Sequence, residues 1–344
     1  MAVLEKRRNT LGFHHLDTLE AMYRMASIYW SLGNFQEAEE LGVLVVNKRR
    51  DILGENHPDT LDSTGFLASV LSRLGRLRDA EELSAAVLKK QRYILGETHP
   101  ETLRTMSNLA MTYSQLGRLQ EAQALGLEVV ERQRKILDHN HPSTLLSMSN
   151  LAVTYHRLGR FREAEMHEVA VLQGQKSFLG ENHPETIRTM RHLALTYHTL
   201  GRLQEAEDLG SVILEKFTSI LGANHPEALL TMGNLAMTYN KLGRLQEAET
   251  MLVEVLKKLT DLLGHNHPGT LRTQSNLGST LNKLERWQEA EDFLLPALEK
   301  QKDLYSASHP HIMDTINSLA ITYTKLGKLK ETEDLNEALK RLEV

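Results

Sequence analysis

Residues 99–140 read HPETLRTMSNLAMTYSQLGRLQEAQALGLEVVERQRKILDHN, and the same cadence returns along the whole chain. His-Pro stands at His57, His99, His141, His183, His225, His267 and His309, each step 42 residues, and His15 keeps the register with Leu16 in place of the proline. The 344 residues are close to eight such periods, with no insertion or deletion between them. A period of roughly 20–50 residues marks a stacked array of supersecondary units.

Each period holds two helical patterns. From Pro100 to Leu116 the apolar residues Leu103, Met106, Leu109, Ala110 and Tyr113 form one stripe at helical spacing. Proline suits the first turn, where its missing N–H has no intrahelical partner anyway. Gly117 ends the pattern and recurs as Gly33, Gly75, Gly159, Gly201, Gly243 and Gly327, with Glu285 breaking the series. A second stripe, Leu119, Ala122, Leu125, Val129, Val130, Ile136 and Leu137, closes the period. It usually stops at a glycine (Gly54, Gly96, Gly180, Gly222, Gly264), from which Asp138 and Ser306 depart. No alternating strand pattern occurs, so the expected fold is an all-α stack of helix-turn-helix hairpins.

Composition agrees: 41% hydrophobic and 25% charged residues are ordinary for a folded chain. A net charge of −5 argues against a nucleic-acid binder. With no cysteine there is no disulfide, thiolate zinc site or cysteine nucleophile. No apolar run approaches the ~20 residues of a membrane span, and MAVLEKRRNTLGF has no signal-peptide core, which points to the cytoplasm and away from membranes.

The block NLAMTYSQLGRLQEA, Asn108 to Ala122, resembles the tetratricopeptide repeat, with Leu109, Ala110, Tyr113 and Ala122 on that family's apolar and small positions. The 42-residue length and the LG-x-x-HP junction look like the longer variant of kinesin light chains, found also behind nucleotide-binding domains in fungal immune-receptor-like proteins. The resemblance implies a right-handed superhelical solenoid whose first helices line a groove that takes an extended peptide or partner segment.

On this reading residues 1–14 are the remainder of a second helix, Val3 aligning with Val45 and Val87. One solenoid of eight repeats then follows at 15–56, 57–98, 99–140, 141–182, 183–224, 225–266, 267–308 and 309–344. The N-terminus reads as a cut, with an upstream domain expected. The C-terminus reads as a natural end, because Lys340 replaces the Val or Leu found at that position in the other repeats.

The family's geometry puts six first-helix positions on the groove, in the third repeat Arg104, Ser107, Asn108, Met111, Ser114 and Gln115. Across eight repeats these carry ten basic and three acidic side chains against a net acidic remainder. A basic groove steers an acidic segment. Asn108, Asn150, Asn234 and Asn276, with His192 among them, resemble the family's row of amides that pair with a peptide backbone. Arg24, Phe66 and Ser318 interrupt that row, which limits the expected site to residues 104–283. The candidate binding residues are Arg104, Asn108, Asn150, Arg157, Arg188, Arg191, His192, Asn234, Lys241, Arg272, Asn276 and Lys283.

The His-Pro anchors lie about one helix-packing distance apart and cannot share a zinc ion. Helix entry and packing between repeats are their expected roles. The pairs His139/His141 and His265/His267, and the trio His156, His192 and His198, lack an evident ligand set. Met22, Met106, Met148, Met190 and Met232 occupy one core position, and the tyrosines of the Tyr113 column read as packing residues. The arginine after each cap glycine, as at Arg118, is expected to face the preceding helix's terminal carbonyls. No P-loop, G-x-S-x-G, H-E-x-x-H or G-x-G-x-x-G motif is present. The expectation is therefore a non-enzymatic adaptor without metal or cofactor, whose partner is a protein or peptide of acidic character. The alternative is a sensor or spacer array of a larger receptor, or a self-associating scaffold.

Overall fold

The structure is a computed structural model and describes residues 2–305 and 309–342, without the side chains of 2–4, 6, 310, 336 and 338–342. The sequence readings on Val3, Ser306 and Lys340 therefore lie outside the described residues.

Among the described residues all regular structure is α-helical. α1 (Ala2–Leu11) precedes eight hairpins. These are α2 (Leu16–Ser31) with α3 (Phe35–Leu53), α4 (Pro58–Arg73) with α5 (Leu77–Ile94), α6 (Pro100–Gln115) with α7 (Leu119–Ile136), and α8 (Pro142–Arg157) with α9 (Phe161–Phe178). They continue as α10 (Pro184–Thr199) with α11 (Leu203–Leu221), α12 (Pro226–Lys241) with α13 (Leu245–Leu263), α14 (Pro268–Lys283) with α15 (Trp287–Leu304), and α16 (Pro310–Leu326) with α17 (Leu329–Leu342). Packing divides them into two compact units, Met1–Glu181 and Asn182–Val344. Within each unit every helix packs on the next in sequence, and first helices of successive repeats also touch. Among the described residues no helix is long and apolar enough to cross a membrane.

The repeated histidine is a helix cap. In each repeat it sits in extended backbone and its Nδ1 accepts the N–H two residues on, at 3.1–3.2 Å, from Asp17 in the first repeat to His311 in the last. That bond satisfies one of the helix's orphan donors, and it survives at His15 without the proline. The hairpin turn needs a left-handed residue: Gly117 has φ +82° and the Arg118 N–H donates to the Tyr113 carbonyl at 2.9 Å, closing the helix end. Glu285 takes the same conformation at φ +60°.

The core is repeated as read except at Ile136, which the second stripe included and which is exposed, because the last turn of α7 projects beyond the helices it packs on. Leu103, Met106, Leu109, Ala122, Val129 and Val130 are buried, as are Met22, Met148 and Met190, while Met232 is half-buried. One site departs from the pattern. Position 278 is glycine where the other seven repeats carry alanine (Ala26 through Ala320). A Cβ on Gly278 would sit 2.5 Å from Leu294 Cγ. Leu294 fills that space here, although the sixth repeat carries the same leucine, Leu252, together with Ala236, so the close approach belongs to this hairpin and not to the residue pair as such.

The arginine row behaves differently from expectation. Arg118 Nε donates to Glu121 at 2.6 Å, its Nη1 reaches Glu81 of the previous repeat, and its guanidinium lies 4.3 Å over the Tyr113 ring. Arg244 does the same with Glu247, Glu207 and Tyr239, and Lys328 continues the row with Glu291 and Tyr323. The partners are carboxylates on two successive repeats and a ring, not terminal carbonyls. A fixed guanidinium fork between two carboxylates is a better match than a diffuse helix dipole.

Candidate functional site

The candidate residues lie on the first helices, and most are tied into their own unit. In the first unit Arg104 is half-buried between the carboxylates of Asp62 and Glu101, the latter 3.0 Å from its Nε. Burial opposes its charge, but Glu101 and Asp62 outweigh that and raise its pKa. Asn108 Nδ2 donates to Ser69 Oγ at 3.0 Å, and Asn150 Nδ2 to Ser107 Oγ at 3.3 Å. These amides therefore bridge neighbouring repeats and keep one N–H and the carbonyl oxygen for other use. Arg157 Nη1 donates to the Ser114 carbonyl. Ser107 and Ser114 themselves are buried between repeats, so the six nominal groove positions are fewer in practice.

In the second unit Arg188 pairs with Glu185 and Arg191 with Glu227. Lys241 Nζ donates to the His198 carbonyl and Lys283 Nζ to the Asn240 carbonyl, both at 3.4 Å. Arg157, Lys241 and Lys283 thus occupy one register and meet the last carbonyls of the preceding first helix, where a cation is favoured. His192 is half-buried, its carbonyl accepting from Thr196 Oγ1 at 3.1 Å. Asn234 is exposed and Asn276 half-buried.

Arg272 differs from the rest. It is half-buried on α14, and among the described residues it has no hydrogen bond or ion pair. Its pKa is lowered, first by burial and then by the nearby charge of Arg191, with Glu227 and Tyr305 compensating only in part. One turn on, Asn276 shares its helix face. A guanidinium without an ion pair keeps N–H donors that suit an anionic group.

Sequence counting missed two features. The first-turn acids Glu101, Glu185 and Glu227 lie outside the six positions yet neutralise Arg104, Arg188 and Arg191, so the apparent basic surplus is smaller in effect. An apolar row also lies on these helices, Met111 and Val153 in the first unit, Met237 and the exposed Leu195 in the second. Its signal was present in the residue types at one groove position. The histidines are engaged elsewhere: His156 Nε2 lies 2.9 Å from the buried Glu168 carboxylate and His198 Nδ1 3.2 Å from Thr238 Oγ1. Among the described residues no three or more His, Asp or Glu are grouped to hold a metal.

Comparison with known proteins places this arrangement. The family model described as Tetratricopeptide repeat matches residues 17–92, 64–135, 101–176, 169–218, 227–299 and 269–343. A crystal structure of nearly identical TPR-like repeats, of the kinesin light chain type, from Podosopora anserina is 32% identical, with a TM-score of 0.56, over 60% of this chain and 97% of that one. BtubC from P. vanneervenii is 20% identical, with a TM-score of 0.54, over 73% of this chain and 94% of its own. A Signal Transduction ATPase with Numerous Domains protein with a tetratricopeptide repeat sensor, from Pyrococcus horikoshii, is 14% identical with a TM-score of 0.65, and this chain, covered over 99%, spans 51% of its length. The last two likenesses are of fold. No curated protein sequence matches.

Proposed function

The chain belongs to the tetratricopeptide repeat family, a scaffold type associated with protein–protein interaction, and from that premise we propose that it is a cytoplasmic, non-enzymatic adaptor whose first-helix face captures an extended acidic peptide segment. The observation that carries this is Arg272: a half-buried cation next to Arg191 that makes no hydrogen bond or ion pair among the described residues, the nearby charge of Glu227 offsetting its burial only in part. A peptide carboxylate supplies the missing partner. Asn276 on the same helix face and Asn234 on α12 offer amide donors and acceptors to an extended backbone. Leu195 and Met237 give apolar side chains of the ligand a surface.

An affinity in the micromolar range, about −8 kcal/mol, fits a transient contact of this kind. The test is a peptide-display selection against the chain, followed by fluorescence anisotropy on the enriched peptides. Arg272→Ala is expected to weaken binding roughly tenfold or more, the usual worth of a charged hydrogen bond, and to flatten its salt dependence. Acidic peptides that bind Arg272→Ala as tightly as the native chain at low salt refute the assignment.

A further inference from the structure

The repeats provide an internal control for a second site, on the first unit and away from the first-helix face. In the second and third repeats Arg92 and Arg132 share two carboxylates. Arg132 Nη2 lies 2.7 Å from Glu97 and 2.6 Å from Glu128, and Arg92 lies 3.6 Å and 3.4 Å from the same two groups. Arg92 Nη2 also rests 4.0 Å from Met106 Sδ.

One period later the same positions are Arg134, Gly174, His139, Ala170 and Met148. Both carboxylates are gone: Glu97 has become His139 and Glu128 has become Ala170. One cation is gone too, Arg132 having become Gly174. The other is kept. Arg134 Nη2 repeats the thioether contact, 3.6 Å from Met148 Sδ, and among the described residues that is its sole hydrogen-bond or ion-pair contact. Its charge is felt by His167, which stacks on Tyr155 at 5.5 Å and whose pKa is lowered by burial and then by Arg134.

The space at Gly174 is filled, a Cβ there meeting Leu145 at 2.8 Å, but the space at the two carboxylate positions is not. A cavity of about 480 Å³ opens where the acids stood, between the end of α7, the 138–141 loop, the start of α8 and α9. Leu145, Met148 and Ala170 form its apolar floor, and Arg134, His139 and Gln173 are polar groups on its wall. The volume lies within the roughly 300–1,000 Å³ of small-ligand sites, which pair an apolar lining with a few placed polar groups.

We propose that this cavity binds a small amphipathic carboxylic acid. Its carboxylate replaces the missing glutamates on Arg134, and its apolar body lies on Leu145, Met148 and Ala170. The neighbouring repeat shows the geometry by which this register of arginine takes carboxylates. Here the carboxylate comes from outside the chain.

The test is isothermal titration of the full chain with 4-phenylbutyrate and octanoate, beside the neutral 4-phenylbutanamide. The acids are expected to bind saturably and the amide at least tenfold more weakly. Arg134→Gln is expected to lower acid affinity roughly tenfold or more. Ala170→Glu restores the residue found at Glu128 and supplies an internal carboxylate, so it is expected to abolish binding while the chain keeps its helical circular dichroism. Arg272→Ala is expected to leave acid binding unchanged, which separates this site from the peptide face. Absence of saturable binding by both acids, equal binding of the amide, or unchanged affinity in Arg134→Gln each overturns the proposal.

Discussion

Glu285→Gly is expected to stabilise the protein. Glu285 holds the hairpin turn between α14 and α15 at φ +60°, a position where the other full hairpins use glycine, as at Gly243 with φ +81°. A side chain in the left-handed region costs about 1–2 kcal/mol. Against that, glycine's extra freedom in the unfolded chain costs about 0.5–1 kcal/mol. The net expectation is a gain of roughly 0.5–1 kcal/mol. No contact of the carboxylate offsets it, since Glu285 is exposed and makes no ion pair among the described residues. The reciprocal change isolates the cause. A Cβ on Gly243 meets nothing within 4 Å, so Gly243→Ala introduces backbone strain without a clash and should lose a similar amount. Urea denaturation followed by circular dichroism, with both variants beside the native chain, reads the two shifts in midpoint. Opposite shifts of similar size are expected. If Gly243→Ala is neutral, the left-handed turn is not what the cap glycines supply, and the account of Glu285 falls with it.

Three further outcomes follow from single side chains. Burial and then Lys241 lower the His198 pKa to about 4 from 6.5, so the unfolded chain takes up a proton that the folded one refuses. Stability is then complete above about pH 6.5 and declines as the pH falls toward 4, by roughly 1–3 kcal/mol for a half-buried ring. His198→Asn, which copies the 2.7 Å bond of Asn240 to Thr280, should remove that slope in pH-resolved melts, and an unchanged slope would show another group responsible. Gly278→Ala, although it restores the residue of every other repeat, should cost about 1–3 kcal/mol through overpacking against Leu294; a rise in melting temperature contradicts this. His225→Ala removes the cap bond to the Glu227 N–H and should cost about 1 kcal/mol, with His225→Asn recovering most of it in the same denaturation series.

How much was legible depended on whether a residue acts along the chain or across it. The helix pairs, their glycine turns, the buried Leu103 and Met106 columns and the family itself follow from local spacing. A 3.6-residue period and a left-handed cap are properties of contiguous backbone, repeated often enough here to be unambiguous. The caps were half legible: the recurrence of His-Pro marked helix entry, while the imidazole's acceptance of an N–H two residues on needed side-chain positions. Charges were the least legible. Arg104, Arg157, Arg191 and Arg272 fall in one formal class on the first helices. One is locked between acids, one meets a carbonyl, one pairs with a glutamate 36 residues away, and one has no such partner. Those distinctions arise from distances between repeats, where a change from Glu128 to Ala170 or from Ala236 to Gly278 alters the neighbour rather than the helix that carries it. The sequence by itself determined the repeat, its hairpin and its family. Only tertiary packing decided which cations have internal partners and where a lost side chain leaves a cavity, because electrostatic pairing and steric fit depend on separation in space and not on position in the period.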